Sequence, residues 1–113
     1  MKPHRSNRAR LLHARDAILQ IFVYLGEDPE RGNRTRDAVI RQLEIIGEAC
    51  NHVSPDIKAS YDEIPWRDII NMRHHLTHGY FQVAVKNVWD TADNDLKPLL
   101  ESILAILDNP DVT

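Results

Sequence analysis

Apolar residues recur every three or four positions along most of the chain, the spacing that places them on one side of an α-helix. Leu11, Ile18, Phe22 and Leu25, with Leu12 and Leu19 beside them, predict a first helix with a broad apolar face. Residues 26–33 (GEDPERGN) gather Gly, Pro and acidic side chains and read as a turn or loop. Val39, Leu43, Ile46, Cys50 and Val53 then mark a second helix, whose core face is narrow at Gly47 and Ala49 and so permits close helix approach. Ser54-Pro55 has the form of an N-cap followed by proline at the first helical position, opening a short helix. Another starts at Asp62 or Pro65 and carries Trp66, Ile69, Ile70 and Leu76. The last long segment carries Val88, Trp89, Leu96, Leu99, Leu100, Ile103, Leu104 and Leu107, and Pro98 should kink or divide it. No strand-like alternation competes. The expected fold is all-α, an antiparallel bundle of four to five helices.

Length adds that 113 residues make one domain, 1–113, with enough chain for a core and none for a second. There is no internal repeat or linker, and residues 1–8 and 108–113 are expected to be frayed tails. Hydrophobic content of 42% is ordinary for a globular chain. Lys2, Arg5, Arg8 and Arg10 interrupt any secretory apolar run, and no stretch approaches the ~20 apolar residues that span a bilayer. With one cysteine, Cys50, no internal disulfide is possible; the expectation is a cytoplasmic protein without a membrane association. Net charge is −3, which argues against a generic nucleic-acid binder. The charge is uneven, however: +4 over residues 1–41 and −7 over 42–113. The basic half suits a polyanion or an acidic partner, although charge alone fits a solvated helix surface better.

Candidate chemistry concentrates in residues 73–81 (RHHLTHGYF), which put one arginine, three of the six histidines and one of the three tyrosines into nine positions. Arginine is a permanently charged, forked ligand for phosphate. Histidine moves protons near neutral pH. Together they suggest cleavage of a phosphodiester without a metal. On an unbroken helix, Arg73 and His78 would stand ~140° apart around the axis and ~7.5 Å apart along it. They can serve one phosphate if the helix ends near His78, where Gly79 is a natural terminator, or if two subunits face each other. Spacing alone fits an arginine and a histidine capping a helix terminus more readily. His74 or His75 with His78 has the spacing to chelate a metal, but no cysteine or spaced carboxylate completes a set, since Asp68 is ten residues from His78. No metal and no cofactor are expected. Trp66 and Trp89 read as packing anchors before base-stacking platforms, and Cys50 as a small buried hydrophobe.

The order Arg73, four residues, His78, one residue, Tyr80 resembles the Arg-x4-His-x-Tyr signature of HEPN-domain proteins, specifically the HepT toxin family. Residues 38–49 (AVIRQLEIIGEA) resemble that family's second-helix motif, Ile64-Pro65-Trp66 its lead-in to the signature, and Val88-Trp89 the Val-Trp of its last helix. The similarity runs from about Ala9 to Leu107. It implies a HEPN-like bundle acting as a homodimer, whose two Arg–His pairs form a composite cleft. It also implies a metal-independent endoribonuclease toxin of a type VII-like toxin–antitoxin pair. His78 would be general base or acid for attack of a ribose 2′-hydroxyl, and Arg73 would stabilise charge on the phosphate. Tyr80 would accept AMP from a nucleotidyltransferase antitoxin resembling MntA. His74, His75, Glu48 and Asn51 would support the site or touch RNA. Two positions depart from the pattern: Ala84 stands where many relatives carry an acid, and Asn87 where a hydrophobic residue is common. Two other functions remain compatible with such a bundle, a non-catalytic nucleotide-binding or scaffold subunit of a minimal nucleotidyltransferase complex, and a plain dimerisation domain.

Overall fold

The computed structural model describes the backbone of residues 6–78 and 81–113, and the side chains of these outside 73–86. It is an all-α antiparallel bundle, with no strand among the described residues. Six helices follow in order: α1 (Asn7–Glu27), α2 (Asn33–Asn51), α3 (Pro55–Ser60), α4 (Trp66–His78), α5 (Phe81–Asn94) and α6 (Leu96–Leu107).

The extra helix arises from division of the last segment. The break falls at Asp95, three residues before Pro98. A proline ring collides with the carbonyl four residues back and offers no N–H to it, so Pro98 is incompatible with a helix continuing through Asn94. It is tolerated in the first turn of α6, where the N–H would have had no helical partner. Ser54 behaves as its sequence suggests. Its Oγ accepts from the Ile57 N–H at 3.5 Å, and Pro55 opens α3. The start of α4 belongs to Pro65 and not to Asp62: the Ile69 N–H donates to the Pro65 carbonyl at 3.1 Å.

One continuous core lies between the helices. Leu11, Ala14, Ala17, Ile18 and Ile21 enter from α1, Val39, Leu43, Ile46 and Cys50 from α2, and Leu96, Leu99, Ile103 and Ile106 from α6. The α1 face is therefore rotated from the expected one. Ile21 and two alanines are buried, while Leu19 is 44% exposed. Ala14 and Ala17 on α1, with Gly47 and Ala49 on α2, are buried small residues that let these two helices approach closely. Helix α2 packs against both α1 and α4.

The expected frayed tails are not what is found at residues 6–8 and 108–113. Ser6 caps α1 through the Ala9 N–H at 3.1 Å, and Asn7 exchanges two hydrogen bonds with Ser54, at 2.9 and 3.1 Å. At the other end Val112 is 3% exposed. The Arg8 guanidinium donates to the carbonyls of Leu107, Asn109 and Val112 at 2.9–3.0 Å. These bonds satisfy orphan carbonyls at the end of α6 with a charged donor, and hold residues 108–112 on the bundle.

Candidate functional site

Helix α4 carries the signature, and its first turn is firmly anchored. Ile64 and Trp66 are buried, at 4% and 7% exposure, and the Trp66 indole N–H donates to the Tyr61 carbonyl at 3.0 Å. Tyr61 is itself tied to the segment after α6, its hydroxyl accepting from Asn109 Nδ2 at 3.2 Å. The Ile-Pro-Trp lead-in thus fixes where α4 begins and how it is rotated. Trp66 and Ile69 face the core, whereas Arg67, Asp68 and Asn71 are exposed.

The helix is unbroken from Trp66 to His78, and Arg73, His74, His75 and His78 all lie on it. Backbone register follows directly. Arg73 comes seven residues after Trp66 and His78 seven after Asn71, each about two turns on. Arg73 therefore extends the stripe begun by Trp66, and His78 extends the one begun by Asn71. The two positions stand on different sides of one helix, ~7.5 Å apart along its axis. Their side chains, and Tyr80, Ala84 and the side chains of His74 and His75, lie outside the described residues.

Glu48 and Asn51 sit at the C-terminal end of α2. Glu48 Oε1 lies 2.9 Å from His52 Nε2, an i, i+4 pair at the surface. Asn51 is exposed, and its carbonyl accepts from Lys58 Nζ at 3.2 Å. Whether either orients Arg73 or His78 depends on side chains outside the described set. Cys50 is fully buried, and burial pushes its thiol up to about 12, so it is a packing residue and not a nucleophile. Trp66 is a core anchor. Trp89 is half-buried and has a second role: the Arg31 guanidinium lies 5.1 Å from its ring centroid while forming a two-point ion pair with Asp93 at 2.6 and 3.0 Å. That stack clamps the α1–α2 loop onto α5.

Two concave surfaces went unnoticed in the sequence because their walls come from separate helices. One, about 470 Å³, opens between α4, α5 and α6 over Leu43, Ile69 and Val88. Its rim holds Glu63, Asp68 and Asp95, three carboxylates that would repel a phosphate. The other, about 480 Å³, runs between α1 and α2 and includes Arg10, His13 and Arg41. Among the described residues no group of three His, Cys, Asp or Glu side chains converges as a metal site, and no helix is long and apolar enough to cross a membrane.

Comparison with known proteins identifies the family. A family model described as ribonuclease HepT-like matches residues 12–106. A Thermococcus cleftensis protein named "Probable ribonuclease HepT" is 47% identical over 66 residues, 58% of this chain and 60% of that protein. A Methanocaldococcus jannaschii protein named "Putative RNase MJ0127" is 35% identical over 77 residues, 65% of this chain and 64% of that protein. A larger protein of the same organism, "Gamma-glutamylcyclotransferase and putative RNase MJ0434", is 38% identical over 76 residues, 67% of this chain but 34% of that protein. The chain thus spans less than two thirds of the length of these relatives. No solved structure matches.

Proposed function

Since the chain belongs to the ribonuclease HepT-like family, we propose that it is a metal-independent endoribonuclease, the toxin of a type VII-like toxin–antitoxin pair. The observation that carries the reading is the family match over residues 12–106, which encloses the Arg73-x4-His78-x-Tyr80 order on and just after α4. In this reaction His78 removes the proton of a ribose 2′-hydroxyl, and the resulting oxygen attacks the adjacent phosphorus. The bond to the departing 5′-oxygen breaks and that oxygen takes a proton from solvent, leaving a 2′,3′-cyclic phosphate on one product and a 5′-hydroxyl on the other. Proton transfer by a placed imidazole contributes ~10²–10⁴-fold. Arg73 neutralises the charge that grows on the non-bridging oxygens, a contribution that is usually larger. The substrate is RNA because DNA has no 2′-hydroxyl to attack.

Helix α4 ends at His78, so a site at that helix end is one arrangement; the placement of the two positions on different sides of the helix favours the other, a homodimer. In it, Arg73 of one protomer and His78 of its partner share a phosphate across the interface. Tyr80 is the regulatory residue, accepting AMP from an MntA-like nucleotidyltransferase. Bulky anionic nucleotides beside Arg73 occupy and neutralise the phosphate site. His74 and His75 add RNA contacts, and Glu48 and Asn51 support the site from α2.

The reading is tested by assaying RNA cleavage with wild type, Arg73→Ala and His78→Ala, each melted in parallel. Both variants should lose cleavage and keep the wild-type melting temperature. A variant that cuts RNA at the wild-type rate would remove its residue from the mechanism. A dimer that binds the transferase but never cuts RNA would establish a scaffold instead. Incubation with the transferase and ATP should add adenylyl mass to wild type and none to Tyr80→Phe.

A further inference from the structure

We infer that the groove between α1 and α2 holds a backbone phosphate of single-stranded RNA, with Arg10 as its principal ligand. The inference rests on the ribonuclease reading and extends it to how the substrate is held. Arg10 and His13 line the groove from α1, one turn apart; Arg41, Glu44 and Glu48 line it from α2, over Ala49. Three- and four-residue spacing places each set on one face of its helix. At about 480 Å³ the groove falls within the ~300–1,000 Å³ typical of ligand sites.

Charge accounting singles out Arg10. Glu44 Oε2 lies 3.5 Å from Arg41 Nη1, and Glu48 Oε1 lies 2.9 Å from His52 Nε2, so both carboxylates already have side-chain partners. The Arg10 Nε is sealed from solvent and has no hydrogen-bond acceptor. A buried donor without an acceptor is costly, more so on a charged group. An oxyanion seated in the groove supplies the countercharge, and also the missing acceptor once the guanidinium turns Nε toward it, in the two-point geometry that guanidinium uses for phosphate. Arg41, with 70% of its side chain exposed, adds a flexible second cation at the mouth. The two glutamates weaken the pull on an anion, so the groove is a positioning contact and not a tight phosphate trap.

Topology favours RNA over an acidic protein as the occupant. Helix α2 packs on α1 and also on α4. Packed helix axes lie ~8–10 Å apart, which puts the groove within a few nucleotides of the signature helix. A single strand bearing one charge per nucleotide spans that distance without needing a complementary folded surface.

The test uses a labelled single-stranded RNA and His78→Ala protein, which leaves the RNA intact, with anisotropy measured over a range of salt. Adding Arg10→Ala should weaken binding several-fold at low salt and reduce the slope of log K against log salt by about 0.7, the loss of one single-strand phosphate contact. Arg10→Lys should restore most of that slope. Arg41→Ala, at an exposed position, should shift both quantities in the same direction, and melting curves verify that each variant is folded. Unchanged affinity and slope in folded Arg10→Ala and Arg41→Ala would overturn the inference. So would variants that lose transferase binding, or dimerisation, while RNA affinity stays at the parent value. Wild-type cleavage is scored alongside: intact cleavage with an unchanged slope rejects the groove alone, whereas no cleavage rejects the ribonuclease reading itself.

Discussion

Replacing Arg8 with alanine should destabilise the bundle far more than loss of a surface arginine ordinarily does. The side chain makes three hydrogen bonds to carbonyls at the end of α6 and beyond it, to Leu107, Asn109 and Val112. A hydrogen bond involving a charged group is worth ~1.5–3 kcal/mol. The three share one guanidinium and are only partly buried, so water replaces some of the loss and their values do not add. An expected cost of about 2–3 kcal/mol follows. Unfolding entropy of ~2.1 cal/mol/K per residue makes 1 kcal/mol worth about 4 °C in a chain of 113 residues. Arg8→Ala should therefore melt about 8–12 °C below wild type. Arg8→Lys keeps the charge but not the planar fork, and should fall between them. Val112 is buried by the same segment, so Val112→Ala and Arg8→Ala should be less than additive in a double-mutant cycle. Thermal and urea denaturation measure all five proteins. An Arg8→Ala protein melting within ~2 °C of wild type would refute the view that this residue anchors the segment.

Arg31 holds a left-handed conformation at φ 57° while it stacks on Trp89 and pairs with Asp93. Arg31→Ala should cost ~1 kcal/mol from the lost stack and exposed pair. Arg31→Gly loses the same contacts but relieves the backbone, and should be the more stable of the two by ~0.5–1 kcal/mol; the reverse order in urea melts would contradict this. The Arg31 hydrogen bond holds the Asp93 carboxyl below its ordinary 3.8. A carboxylate lowered on folding contributes stability above its unfolded pKa and loses it as pH falls through the folded value. Asp93→Asn should thus melt slightly below wild type near neutral pH, and the gap should close in acid below 3.8; a gap that persists there would disprove the linkage. The Cys50 thiol, pushed up to about 12 by burial, should resist alkylation at about pH 8 until denaturant is added, and fast labelling of native protein would count against that burial.

The helices and several of their caps were readable from periodicity and from local chemistry that needs no partner, as at Ser54-Pro55 and Pro65. Features set by tertiary contact were not. The buried stripe of α1 runs through Ala14 and Ala17, which are too weakly hydrophobic to outweigh Leu19 in a one-dimensional pattern. The sequence marked residues 26–33 as a turn or loop without showing which residue turns left-handed; Arg31 does, its side chain secured by Trp89 and Asp93 some sixty residues on. Residues 108–113 carry little apolar signal, and partners far along the chain, Arg8 a hundred positions earlier and Tyr61, explain why they dock. For the candidate site, the residue types and spacing of Arg73 and His78 were visible along the chain. The placement of these positions on different sides of one helix needed α4, which runs from Trp66 to His78. The Arg10 groove needed α1 and α2 side by side.

The most direct test of the account incubates purified wild-type and His78→Ala protein with total cellular RNA in EDTA, and determines the chemistry of the new ends. Mass spectrometry first verifies that Tyr80 carries no adenylyl group. Cleavage by wild type alone, leaving 2′,3′-cyclic phosphates, is the predicted result. Intact RNA with unmodified wild-type protein, or equal cleavage by His78→Ala, would contradict it.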